Sequence, residues 1–301
     1  LKKLEQFENI NFYFSYDKLI ELEKIDYVVL CTPSGLHPQQ TIQASKKKIN
    51  VISEKPMATN LIDAKKILYE IKKNKTKYFV VKQNRYIPII LYLKKLIDNN
   101  QLGKIFFVNI NVFWNRPQSY YNLDKWRGTK KLDGGAILNQ ASHYVDLLYW
   151  LFGKIKKINC FKKTLARNIE VEDTAVISLE WERGCLGNLN VSMLSYKKNF
   201  EGSLTIISEK GTVSIGGKAL NKIKYCNLKN KKIEKKIFSL KSLENLEGNY
   251  CYKIFYKNLI NDFEKKNLKD NYLSDVKDAQ NAMKIIFNAY ESSDKKKNKY
   301  L

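Results

Sequence analysis

The sequence predicts an α/β protein in two parts. A parallel sheet comes first, and an α+β domain with one open, mostly antiparallel sheet follows. Three observations carry this. Continuous apolar runs (Asp26–Pro33, Val51–Ser53 and Tyr78–Val81) alternate with helical stretches over the first 82 residues. Such alternation gives βαβ units and a parallel sheet buried on both faces. After Lys82 the pattern changes: Ile105–Trp114 alternates apolar and polar residues. Strand-like segments near 174–181, 185–194, 203–208 and 211–216 then follow one another across short glycine-containing turns, as in an antiparallel meander. With 301 residues, 44% of them hydrophobic, the chain is long enough for two cores. The division is placed at 1–82 and 83–301.

In chain order, Asn11–Phe14 reads as a short strand and Tyr16–Lys24 as a short helix. Asp26–Pro33 is a buried strand closed by a turn, Ser34–Pro38 is a loop, and Gln39–Lys47 is a helix. Val51–Ser53 is the next strand and stops at Glu54-Lys55-Pro56. The following helix, Asn60 to about Asn74, places Ala64, Ile67, Leu68 and Ile71 on one face. Tyr78–Val81 is a strand, and Pro88 opens a helix to about Asp98. Ala136–Phe152 reads as one helix, and two more are expected at about 250–266 and 275–292. The Lys295–Lys299 charge run reads as a frayed tail.

Composition narrows the function classes. Net charge is +24, yet only five of the 54 basic residues are arginine. The lysines are spread along the whole chain, and no base-reading motif accompanies them, so a nucleic-acid partner is not expected. No apolar run approaches the ~20 residues that span a bilayer, and no signal peptide is visible, so a cytoplasmic protein with no membrane partner is the simple expectation. No pair among the five cysteines has metal-ligand spacing, and His37 and His143 are the only histidines. No metal site is expected.

Two stretches carry chemistry. Lys55 ends a parallel strand at the edge where open α/β sheets bind ligands. Pro56 fixes its own φ and keeps Lys55 out of the α region, so the turn is stiff and the ammonium has a set direction. Read alone, Glu54-Lys55-Pro56 is also what a surface turn contains. The second stretch is Asp133-Gly-Gly-Ala-Ile-Leu-Asn139-Gln-Ala-Ser-His143-Tyr-Val-Asp146. Its glycines let the backbone approach something closely. Asn139 and His143, four apart, share a helical face. A neutral imidazole there can take a proton from a hydroxyl, although a satisfied core histidine fits the same pattern.

Taken together, the strand ending Thr32-Pro-Ser-Gly-Leu-His-Pro38, the Glu54-Lys55-Pro56 turn and the Gly-Gly helix carrying His143 resemble one family. It is the glucose–fructose oxidoreductase/inositol dehydrogenase/MocA (Gfo/Idh/MocA) family of NAD(P)-dependent dehydrogenases. The resemblance runs from about Phe12 to the last helix. Within the family, Gln83-Asn-Arg-Tyr86, Trp126-Arg-Gly-Thr129 and Asn139-Gln-Ala-Ser-His-Tyr144 are similar to the bacterial UDP-N-acetylglucosaminuronate dehydrogenases, which oxidise carbon 3 of the sugar. Many members have Asp where this chain has Asn139.

The resemblance implies a Rossmann-type first domain with NAD as cofactor, NADP being undecided. It implies catalysis by Lys55 and His143 with Asn139 as an orienting group. Thr32, Pro33, His37, Glu54 and Lys55 would line the nicotinamide half of the cofactor site, although His37 is also placed to cap the following helix. Arg85, Tyr86, Arg127 and Asn139 would hold a nucleotide-sugar substrate, the arginines clamping its carboxylate or diphosphate; a surface ion pair is the alternative for each arginine. A homodimer or homotetramer through the second sheet is implied. The family's opening βαβ unit with its G-x-G-x-x-G turn does not occur in this sequence, so the first sheet is expected to lack that unit and the natural protein to be longer. A dehydrogenase of a free sugar or cyclitol, and a non-catalytic sensor on the same fold, are the competing readings.

Overall fold

The computed structural model describes residues 10–240, 249–264 and 272–294. The expected terminal charge run, the residues before Ile10 and the last residues of the helix expected to reach 266 lie outside that range.

The first part alternates helices and strands. Helix α1 (Tyr16–Leu22) precedes strand β1 (Tyr27–Leu30), α2 (His37–Lys46), β2 (Asn50–Ser53), α3 (Leu61–Asn74) and β3 (Tyr78–Val80). Parallel pairing joins β1 to β2 and β2 to β3, with Leu30 opposite Ser53 and Ser53 opposite Val80. The three strands therefore end flush, and the chain leaves all of them at one edge, through Thr32, Lys55 and Lys82. Val51 and Val80 point into the main core, while Ile52, Phe79 and Val81 point to the opposite face, as the period of two requires. Burying one such side chain contributes roughly 1.5–3 kcal/mol.

Helix α3 starts where its sequence says. The Asn60 side chain accepts the Asp63 N–H at 2.8 Å, and Ala64, Ile67 and Ile71 are its buried face. Asn11–Phe14, expected as a strand, is not one. Phe12 and Phe14 are exposed, and the described part of the sheet has no strand beyond β1 for that segment to pair with. A lone segment cannot satisfy its backbone groups through a ladder.

The second part begins with α4 (Pro88–Asp98), then β4 (Ile105–Phe113) and the short α5 (Gln118–Asn122). Next come α6 (Ser142–Phe152), β5 (Ile155–Lys163), β6 (Thr174–Trp181), β7 (Leu186–Ser192), β8 (Glu201–Ser208), β9 (Gly211–Gly216) and β10 (Lys222–Leu228). Helices α7 (Lys231–Ser239) and α8 (Tyr250–Phe263), strand β11 (Ser274–Asp275) and helix α9 (Val276–Asp294) close the chain. The seven strands β4–β10 form one sheet in the order β10-β9-β8-β4-β7-β6-β5. It is not a plain meander: β4 lies in the middle and runs parallel to β7, with every other pairing antiparallel.

One face of that sheet packs inward through Val108, Ile110 and Val112, all fully buried. The other exposes Phe107, Phe161, Val176, Leu186 and Tyr225. Helix α9 packs against α3, α6 and β5, tying the second part to the first. Its neighbour β11 adds an antiparallel pair to β3. Helix α8 covers the opposite face of the first sheet, where Tyr27 stacks on Phe263 with ring centres 3.9 Å apart.

Candidate active site

The strand-end lysine meets the second part of the chain. Lys55 Nζ donates to the backbone oxygen of Asn139 at 2.9 Å and to its Oδ1 at 2.8 Å. Burial pushes the Lys55 ammonium down to about 8, against the opposing pull of the Glu54 carboxylate. Glu54 is itself half-buried, its acidity weakened by burial, and it faces Lys55, Lys82 and Tyr252.

The spacing predicts one helix carrying both Asn139 and His143, but the two lie in different elements. Ala136–Gln140 is a π-helical turn, and α6 begins after it. The start of the turn is pinned to a later segment of the chain. Ala136 N–H donates to the Glu172 backbone oxygen at 3.0 Å, and Ile137 N–H to the Glu172 carboxylate at 2.9 Å. A Cβ on Gly135 would stand 1.8–2.1 Å from that carboxylate. The close approach that the glycines permit is thus to an internal acid. Gly134, at φ +84°, is in the left-handed region that glycine tolerates.

His143 is buried, and its Nδ1 has no hydrogen-bond partner among the described residues. Burial, then the nearby Lys55 and Lys82 ammonium groups, hold its pKa well below the usual histidine range, so the imidazole is neutral. Lys55 and His143 are therefore brought together, as a donor-only cation and a neutral base.

The other expected residues divide. Thr32 and Pro33 lie at the β1 edge, half-buried, with Thr32 Oγ1 donating to Gln40 Oε1 at 2.6 Å. His37 does not cap α2: its Nδ1 contacts the Pro56 oxygen and its Nε2 the Thr32 oxygen, both at 2.8 Å. It is a buried brace between the two strand-end turns, with no ring nitrogen left to line a cofactor.

Arg85 is corrected too. At 1% exposure it makes a bidentate ion pair with Asp146, 2.7 and 2.8 Å, and a third bond to Asp278 at 2.9 Å. All three hydrogen-bonding corners of its fork are spent inside the protein, so it cannot clamp a substrate. Tyr86 is likewise core, edge-on to Phe255. Arg127 remains at the surface of the site, bonded to the largely exposed Asp124 and to the Tyr120 hydroxyl.

Several residues were missed by sequence reasoning. Lys82 ends β3 as Lys55 ends β2, is 4% exposed, and reaches the Ser142 oxygen at 3.5 Å. Arg116 lies between the Trp114 and Tyr120 rings, 5.3 Å from each centre, and donates to Gln140 Oε1, the residue after Asn139. Among the described residues no carboxylate pairs with it. Its scarcity as one of five arginines was the available signal. Asp133 is 2% exposed and accepts from Gly128 N–H at 2.6 Å and from Asn139 Nδ2. No group of three or more His, Cys, Asp or Glu among the described residues is arranged to hold a metal ion, and no described helix is long and apolar enough to cross a membrane.

A lysine and a neutral histidine at the carboxyl edge of a parallel sheet, backed by an α+β domain, define the class of two-part oxidoreductases built on a dinucleotide-binding sheet. The chain belongs to the Gfo/Idh/MocA family. The profile described as oxidoreductase family, NAD-binding Rossmann fold matches residues 1–82, and that of the GFO/IDH/MocA C-terminal domain matches 90–214.

The chain is similar to the WlbA dehydrogenase of Chromobacterium violaceum, solved with NADH and UDP-GlcNAcA, at 39% identity and TM-score 0.86, covering 94% of this chain and 79% of that one. The Bordetella pertussis WlbA dehydrogenase, in complex with the same two molecules, matches at 38% identity and TM-score 0.83, covering 93% and 80%. Myo-inositol 2-dehydrogenase of Thermotoga maritima is 25% identical over 201 residues, 65% of this chain and 58% of its own. The chain spans 33–58% of the length of the first curated relatives it matches.

Proposed function

We propose that this chain carries the catalytic site of an NAD-dependent dehydrogenase that oxidises a ring hydroxyl, carbon 3, of a UDP-N-acetylaminosugar uronate. The observation that carries the reading is the meeting of Lys55, Asn139 and His143 at the strand-end edge. The residues present fit the nicotinamide end of a dinucleotide: an ammonium, a half-buried carboxylate and a neutral imidazole gather at one edge. Thr32, Pro33, Glu54 and Lys55 would hold that end, with His37 bracing the turns. When bound, the nicotinamide supplies the hydride acceptor. No G-x-G-x-x-G turn occurs in the 301 residues, so no residue is assigned to the pyrophosphate.

The protein's own part is proton handling and orientation. Neutral His143 takes the hydroxyl proton as general base. Lys55 hydrogen-bonds the same oxygen and stabilises the alkoxide charge that develops there. Asn139 fixes the direction of Lys55. Arg116 and Arg127, joined through Tyr120 and Gln140, form the anion clamp that Arg85 cannot provide. The WlbA structures, solved with UDP-GlcNAcA at 38–39% identity, support the uronate over a free sugar; inositol dehydrogenase relatives keep the cyclitol as the second reading.

The proposal includes the division at residue 82 into a cofactor part and a substrate part, a cytoplasmic location, a role in surface-polysaccharide biosynthesis, and a homo-oligomer that covers the exposed apolar sheet face. The test is nicotinamide reduction with UDP-GlcNAcA, myo-inositol and glucose as substrates, with Lys55→Met as control. Turnover of UDP-GlcNAcA alone, abolished in the variant, supports the reading. Turnover of inositol in its place selects the second reading. Binding of dinucleotide with no turnover of any of the three selects a sensor.

A further inference from the structure

The residue type at position 139 has a cause one step further into the protein. Lys55 Nζ donates to Asn139 Oδ1, and Asn139 Nδ2 donates to Asp133. An ammonium only donates and a carboxylate only accepts. An amide is a neutral group that satisfies both at once, with its oxygen toward the lysine and its nitrogen toward the acid. The carboxylate is anchored as well: its second oxygen accepts Gly128 N–H at 2.6 Å. The segment just before it is pinned to the first part of the chain, Gly35 N–H donating to the Leu132 oxygen at 3.0 Å and Thr59 Oγ1 to the Lys131 oxygen at 2.9 Å.

We propose that Asp133 is a positioning residue for Lys55: it fixes the rotamer of Asn139 and, through that amide, presents a negative charge to the lysine, so that positions 133 and 139 together carry one carboxylate. This deepens the proposed function and takes its catalytic meaning from that reading. A carboxylate at 139 would stand between Lys55 and Asp133 and put two acids in direct contact, so one of them must take up a proton. Burial weakens the Asp133 acid, and Asn139 gives it a donor while adding no second charge. The groups facing Lys55 besides Asp133 are Glu54, Lys82, Arg116 and His143. Glu54 supports the ammonium, and Lys82 and Arg116 oppose it.

The test measures the protonation midpoint of Lys55 by competitive acetylation across pH, with mass spectrometry of its peptide and surface lysines as the internal reference. It needs neither substrate nor cofactor, so it can fail or succeed independently of the proposed reaction. In the unaltered chain the midpoint is expected near about 8. Asp133→Asn removes the charge and lowers the midpoint by about one pH unit. Asp133→Asn with Asn139→Asp moves the charge next to Lys55 and raises the midpoint above that of the unaltered chain. A midpoint unchanged in Asp133→Asn while thermal stability falls overturns the proposal, because Asp133 is then a structural acid only. If Asp133→Asn fails to fold, Asn139→Asp is read instead. It should unfold at lower urea than the double variant above neutral pH, where both carboxylates must ionise. Equal stability of the two overturns the proposal.

Discussion

Replacing Arg85 by Met separates a buried structural ion pair from a ligand clamp. Arg85 and Asp146 are 1% and 2% exposed and bonded at 2.7 and 2.8 Å. Removing the cation leaves the Asp146 charge buried, which ordinarily costs about 3–5 kcal/mol. Two local features set the value near the lower end. Lys82 is close enough to Asp146 to feel its charge and offers partial compensation. Asp278, the second partner, is one-third exposed and is solvated when released. The expected loss is therefore about 3 kcal/mol, or about 1 M in the urea midpoint at a slope of about 3 kcal/mol/M. Adding Asp146→Leu removes the stranded charge and should recover stability to within about 1 kcal/mol, the remainder reflecting Lys82 left without its acid. Urea unfolding followed by tryptophan fluorescence reads both variants, and Trp150, 5.2 Å from the guanidinium, reports locally. A loss under about 1 kcal/mol in Arg85→Met, accompanied by a raised KM for the nucleotide sugar, would refute the ion pair and restore Arg85 to the substrate.

Four further outcomes are expected. With Lys55 ionised below about 8 and His143 neutral, kcat/KM for sugar oxidation should hold through neutral pH and fall as pH rises through about 8, measured as nicotinamide reduction. The same shift has a stability sign. Between about 8 and the ordinary lysine value of 10.5 the unfolded chain binds the extra proton, so the Lys55 contribution makes the fold more stable as pH rises through that window, readable in urea midpoints. Arg116→Ala should raise KM for the uronate about 10–100-fold, the worth of a charge-assisted hydrogen bond, and leave KM for the corresponding neutral UDP-sugar nearly unchanged. Gly135→Ala drives a Cβ into the Glu172 carboxylate and should lower stability by about 1–3 kcal/mol, read as Tm.

Local patterns carried most of the fold. The Val51–Ser53 run, the Asn60 cap and the alternation in Ile105–Trp114 each act within a few residues, and each element formed within one or two residues of its expected bounds. What failed was non-local. Asn11–Phe14 has strand-like residues and no described neighbour to pair with. Ile155–Lys163 carries four lysines and gave no apolar signal, yet it forms β5 because β6 supplies the ladder. The parallel pairing of β4 with β7 joins segments about 80 residues apart, and no turn between them announces it.

The site divides in the same way. Lys55 and His143, the candidates that the fold brings together, stood out because a stiff strand-end turn and a polar residue on an apolar face are local signs. Arg85 was misread because its partners, Asp146 and Asp278, lie 61 and 193 residues away. A guanidinium's role is set by whether an acid reaches it after folding. Arg116 shows the converse: it finds aromatic rings and amides but no described carboxylate, so its charge remains available to a ligand. The same logic applies to Asn139. An Asn at this position looks, in sequence, like a weakened partner for Lys55 and His143. In the folded chain Asp133 stands behind it and the negative charge has moved back by one hydrogen bond. The residue type at a candidate catalytic position therefore has to be weighed with the residue that buries beside it, because the local charge, and not the residue name, sets how tightly Lys55 holds its proton.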